Sequence, residues 1–137
     1  MDIIQVGAEL SAPLDKVWNI ISDIDNEPKY WYGTKYIKNS VKNGNVIERE
    51  VIIAFKNSTC KETVVLEDKK SVKIKITDGP INGTKTIIIN PIGDTKTKID
   101  VIWNIKVTGL LGMFHGMVKK HIAKGTKDAI DRISKAL

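Results

Sequence analysis

Residues 11–33 read SAPLDKVWNIISDIDNEPKYWYG, and the fold turns on how this stretch is divided. Ser11 or Ala12 is placed to cap a helix with Pro13 in its first turn and Asp15 near its positive end. Val17, Trp18, Ile20, Ile21 and Ile24 recur at helical spacing and give that helix one apolar face. The run DIDNEP stops it, because the residue before Pro28 is steered away from helical geometry. A second short helix or turn across 26–32 then delivers Tyr30, Trp31 and Tyr32 together. Aromatic residues are only 6% of the chain, so their concentration at a helix end suggests that this segment helps close a hydrophobic cavity.

Outward from this stretch the pattern changes period. Residues 2–10 read as a first strand, and from Tyr36 to Thr108 apolar and polar residues alternate. Strands are expected near 35–42, 45–55, 59–67, 71–78, 84–91 and 95–108, separated by turn-forming residues, of which Asn43-Gly44 is the strongest hairpin pair. Short consecutive connections imply an antiparallel meander. After Gly109 helical spacing returns and holds to Leu137. Phe114, Met117, Val118, Ile122, Gly125, Ala129, Ile133 and Ala136 form its apolar face, with lysines mostly opposite.

The inward face can be argued strand by strand. Ile99, Val101, Trp103, Ile105 and Val107 share one face of the last strand, and Val72, Ile74 and Ile76 share one face of 71–78. Strand 45–55 favours Ile47, Arg49, Val51, Ile53 and Phe55 inward; strand 59–67 favours Cys60, Glu62, Val64 and Leu66. A four-residue loop at 56–59 would pair Phe55 with Cys60 and Ile53 with Glu62, and the next turn would pair Leu66 with Val72 and Glu62 with Ile76. Glu62 is thus expected inside, between isoleucines. A carboxylate there must be paired, hydrated or protonated. In this register Arg49 lies roughly 13 Å along the ladder, too far for direct pairing. Lys38 is a second candidate partner: a two-residue Asn43-Gly44 turn points Tyr36, Lys38 and Ser40 inward, whereas apolar content points Ile37 and Val41 inward.

Composition narrows the classes. The chain has 137 residues, 42% hydrophobic and 28% charged, enough for one substantial core. A single cysteine, Cys60, excludes an internal disulfide and any cysteine-rich metal site, and no secretory signal or membrane-spanning run is visible, so a cytoplasmic protein is expected. The formal charge is +6, but Arg49 and Arg132 are the only arginines. Without the planar guanidinium fork that reads phosphates and bases, nucleic acid is not the expected partner. Transient contact with a membrane surface stays open.

The segment SAPLDKVWNIISDIDNEPKYWYG resembles the opening of the START-related helix-grip superfamily (SRPBCC), through Ala12, Pro13, Val17, Trp18, Asp23, Pro28 and Trp31. The similarity continues through REVIIAF, ETVVLEDKKSVKIKITDGP and TKIDVIWNIKV to the last helix, in the manner of polyketide-cyclase, lipid-transport and birch-pollen-allergen-like members. The resemblance implies one α+β domain over 1–137: a seven-stranded curved antiparallel sheet gripping a long C-terminal helix, with two short helices after the first strand. It also implies a cavity between sheet and helix. Glu62 and Lys38 would be its polar anchors, Val51, Ile53, Cys60, Val64, Ile74, Ile76 and Trp103 its walls, and Phe114, Met117, Val118 and His121 the helix's contribution.

Two functions compete for such a cavity. One is a soluble carrier of a hydrophobic small molecule or lipid. The other is a cyclase or aromatase-like enzyme, which would need an acid or base such as Glu62, with His121 or Lys38, against its substrate. No nucleophile triad, metal-ligand set or phosphate loop is present, and neither metal nor cofactor is expected. The carrier is set first. A macromolecular interaction module using the basic face of the last helix is the remaining alternative.

Overall fold

The computed structural model describes residues 2–108 and 113–137. Strand β1 (Asp2–Leu10) is followed by helix α1 (Leu14–Ile21), a 3-10 turn at Ile24–Asn26 and the single-turn helix α2 (Glu27–Tyr30). Six strands follow: β2 (Thr34–Asn43), β3 (Val46–Ile53), β4 (Thr59–Glu67), β5 (Ser71–Thr77), β6 (Ile81–Ile92) and β7 (Lys96–Val107). The long helix α3 spans His115–Ala136. The expected helical start at 110–112 lies outside the described residues.

The strands form one antiparallel sheet in the order β1-β7-β6-β5-β4-β3-β2. The first strand therefore pairs with the last, from Asp2 opposite Ile105 to Leu10 opposite Thr97. Thr97 Oγ1 donates to the Ala12 carbonyl at 2.8 Å and fixes the chain where it leaves β1 for α1. The sheet curves about α3, the architecture of a helix-grip fold. Val17, Trp18, Ile21, Ala129, Ile130 and Ile133 join the inward strand residues in the main core. Val118 packs with Ile4, Ile81 and Ile105 in a smaller second cluster.

Two turns differ from the sequence reading, and both differences move side chains that matter. The first hairpin turns at Gly44-Asn45, with Asn43 opposite Val46 and Gly44 at φ +61°. A register shift between Asn39 and Val41 follows, at Ser40, which brings Ile37 opposite Val51 and Asn39 opposite Arg49. Lys38 consequently lies opposite Glu50, exposed on the outer face. The second difference is the β3–β4 connection. It is wider than four residues: Ile52 pairs with Thr59 and Val51 with Cys60, around a 3-10 turn in which Lys56 and Asn57 both take positive φ. This slides the ladder by four residues without changing which face points inward. Arg49 now stands directly opposite Glu62. The β4–β5 turn keeps its expected register, with Leu66 opposite Val72 and Glu62 opposite Ile76.

Gly83 marks where β6 must lie close to β7. Its φ is +138°, and a Cβ there would sit 2.1 Å from the Asn104 carbonyl oxygen. Gly83→Ala is expected to cost about 1–3 kcal/mol from backbone conformation alone, with steric overlap adding to it. Urea unfolding would measure this; a loss under about 0.5 kcal/mol, the range of an ordinary surface change, would contradict the register.

Candidate functional site

Between the concave sheet, α3 and the segment after α2 lies a cavity of about 120 Å³. Its walls are mainly apolar: Trp31, Ile53, Phe55, Ile76, Ile81 and Trp103. Tyr32, Gly33, Ala54 and Gly125 line it too and are exposed, so its mouth lies between the end of α2, the β3–β4 connection and α3. The Ala54 amide donates to the Gly33 carbonyl at 2.8 Å across that mouth. Arg132 of α3 holds the same segment by donating to the Tyr30 carbonyl at 2.9 Å and stacking 3.5 Å from the Tyr32 ring centroid.

Beneath the cavity is a buried charge cluster centred on Arg49. Its Nε and Nη2 meet Glu62 Oε1 at 2.9 and 2.7 Å, and Nη2 also meets Glu27 Oε1 at 2.8 Å. Nη1 donates to the Ile24 carbonyl at 3.1 Å. One guanidinium thus ties β3, β4 and the α1–α2 connection together. Burial alone would raise Glu27, but the positive charges of Lys85 and then Arg49 outweigh it and hold the carboxyl below its usual range. Glu62 is raised, first by burial and then by the Glu27 carboxylate that shares its guanidinium.

Lys85 completes the group. It is 3% exposed, and its Nζ lies 3.2 Å from the Trp31 ring centroid and 5.0 Å from that of Trp103. Among the described residues this ammonium meets two aromatic faces and forms no ion pair with a carboxylate, although Glu27 and Glu62 act on it through their charge. Burial pushes it down to about 8, against the opposing pull of Glu27 and Glu62. The Trp103 ring is fixed in turn, its Nε1 donating to Thr126 Oγ1 at 3.0 Å. Cys60 lines the cavity as a thiol raised by burial and by Glu62, the opposite of an activated nucleophile.

Of the residues singled out from sequence, Glu62, Ile53, Cys60, Ile76 and Trp103 line this cavity. Val51, Val64 and Ile74 are buried on the same face but packed in the core, away from the lining. Val118 is buried in the second cluster, while Phe114, Met117 and His121 are exposed. The His121 ring meets Phe55 edge-on, with centroids 6.4 Å apart. Val118, Ala129 and Ile133 face inward as the helical spacing predicts, and Thr126, a polar residue, shares that inner face and accepts from Trp103. Lys38, exposed across from Glu50, does not line this cavity. Lys85 and Glu27 escaped the sequence reading. The run Ile87-Ile88-Ile89 erases the alternation that would have shown which way Lys85 points.

The sequence matches the model of the Polyketide cyclase / dehydrase and lipid transport family over residues 1–137. The chain belongs to this family. Solved structures agree on the fold. The Zhui aromatase/cyclase of a Streptomyces species is similar with a TM-score of 0.83 at 10% identity, covering 98% of this chain and 92% of that one. A START superfamily protein from Mycobacterium smegmatis gives 0.72 at 15%, covering 98% and 99%. Norcoclaurine synthase from Thalictrum flavum, solved with dopamine and hydroxybenzaldehyde, gives 0.72 at 20%, covering 98% and 85%. No curated protein matches the sequence. No helix among the described residues is long and apolar enough to cross a membrane, and no group of three or more potential metal-ligating side chains occurs among them.

Within this family fold Lys85 carries a pH signature. Its folded value of about 8 lies below the ordinary 10.5, so the unfolded chain binds more protons between those limits and stability rises with pH there. The rise is on the order of 3 kcal/mol at 1.36 kcal/mol per unit. Urea unfolding of the wild type at pH 8 and pH 10.5, compared with Lys85→Met, should show the rise only in the wild type. Parallel profiles for the two proteins would contradict a buried, unpaired ammonium.

Proposed function

We propose that the protein binds a small hydrophobic molecule in this cavity, as a carrier, with the polar end of the guest turned toward Lys85. The observation that carries this reading is a buried ammonium set against aromatic faces in an apolar cavity and, among the described residues, in no ion pair. Glu27, Glu62, Arg49 and Lys85 carry two negative and two positive charges when ionised, so an anionic guest would add a charge that nothing compensates. A neutral guest with an acceptor oxygen satisfies Lys85 and leaves the balance intact. Trp31 and Trp103 supply the faces for its apolar part.

The cavity sets the size of the guest. Ligand cavities commonly measure ~300–1,000 Å³, whereas a dry cavity of ~150 Å³ is enough to admit benzene. At about 120 Å³ this one suits a short chain or single ring in its present shape. A longer lipid would need the mouth opened by breaking the Gly33–Ala54 hydrogen bond.

A second reading has its own observation. Glu62 is raised and Lys85 lowered within one cavity, and oppositely shifted groups facing a common space are suited to proton transfer. That favours a cyclase- or dehydratase-type enzyme with Glu62 and Lys85 as the acid–base pair. Native mass spectrometry of gently purified protein, with extraction of bound material, tests the binding reading. A stoichiometric apolar guest is expected, and Lys85→Met should weaken an oxygen-bearing guest by at least tenfold while leaving a hydrocarbon of the same size unaffected. An apo mass, with no uptake of single-ring or short-chain compounds, would contradict it. Turnover abolished by Glu62→Gln with binding retained would shift the assignment to the enzyme.

A further inference from the structure

Lys85 is a primary amine held where water is scarce. It is 3% exposed, lines the cavity, and has its Nζ over the Trp31 ring. The charged groups that act on it are Glu27 from α2, Glu62 from β4 and Arg49 from β3. Resting on the cavity reading above, we propose that Lys85 is a nucleophilic amine that condenses with an aldehyde or ketone guest to form an imine.

Three features of the site support this chemistry. Burial pushes the ammonium down to about 8, which supplies neutral amine near neutral pH. A carbonyl is the neutral acceptor that the charge balance favours, so the group that satisfies Lys85 is also the one it can attack. The protonated imine is a cation, and it would inherit the aromatic face that now holds the ammonium.

The step balances without an oxidant or reductant. The amine lone pair adds to the carbonyl carbon, the C=O π pair moves to oxygen, and one amine hydrogen passes to that oxygen to give a carbinolamine. Nitrogen then forms the C=N bond as the hydroxyl leaves. One hydrogen of the departing water comes from the amine and the other from an acid, which leaves a protonated imine. Glu62, on the same cavity wall with a raised carboxyl, is the group assigned to protonate the leaving hydroxyl.

The test uses benzaldehyde as the carbonyl probe and toluene as its carbonyl-free counterpart. Tryptophan fluorescence reports occupancy of the cavity, because Trp31 and Trp103 line it. In parallel, cyanoborohydride traps any imine at pH 7.5, and peptide mapping locates it. The expected result is saturable trapping at Lys85 at least tenfold above any surface lysine, suppressed by excess toluene. Lys85→Arg keeps the charge and should lose the adduct; if that variant fails to fold, toluene competition in the wild type still decides. A fluorescence change with Lys85 labelled no more than surface lysines would overturn the imine and leave the cavity reading standing. Neither fluorescence change nor selective labelling would overturn both.

Discussion

One buried guanidinium sets the geometry of everything around the cavity. Arg49 reaches Glu62 across the β3–β4 ladder and Glu27 and the Ile24 carbonyl in the segment between α1 and β2. Taking these charges out of water is costly, and the structure offsets that cost by making each a partner of another. The arrangement cannot lose one member cheaply: removing one side of a buried pair typically costs ~3–5 kcal/mol, because the other charge is left stranded. Glu27 belongs to a helix of a single turn, with little packing of its own. Its position is therefore set from below, by Arg49, and from the side, by Arg132.

That placement decides where the cavity is. Trp31 and Tyr32 follow α2 directly, so the ion cluster that docks α2 also positions one wall of the cavity and its mouth. The facing wall comes from Trp103, oriented through Thr126. A curved sheet cannot pack against one helix along its whole width, and the space left over lies where these aromatic rings meet. Lys85 enters that space from β6 with its positive charge balanced at a distance by Glu27 and Glu62 and its ammonium against the Trp31 ring. The same cluster thus shapes the cavity and supplies its polar end.

The sequence made the architecture legible because its signals were local and repeated. Val17, Trp18 and Ile21 marked α1, alternation in TKIDVIWNIKV marked β7, and the long helical period marked α3. Parity placed Glu62 and Arg49 on the inner face correctly, but register did not follow from parity. A wide turn with two left-handed residues, Lys56 and Asn57, and a register shift at Ser40 moved partners along the ladder by amounts no alternation pattern records. This is why alternation alone sets Arg49 remote from Glu62 and leaves the side of Lys38 open. Lys85 was hidden for another reason: three consecutive isoleucines fit either face equally well. The polar half of the site depended on these few irregular positions, and the apolar half did not.

Lys85 heads an apolar cavity with its ammonium buried and, among the described residues, in no ion pair. The most direct measurement is an NMR titration of the lysine side chains, following the 13Cε resonances with Lys85 assigned by mutation. Lys85 is expected to titrate near the value of about 8 that its burial imposes. Titration of Lys85 near the ordinary value of 10.5 would contradict this, because such an ammonium would be solvated or paired and would have no need of a guest.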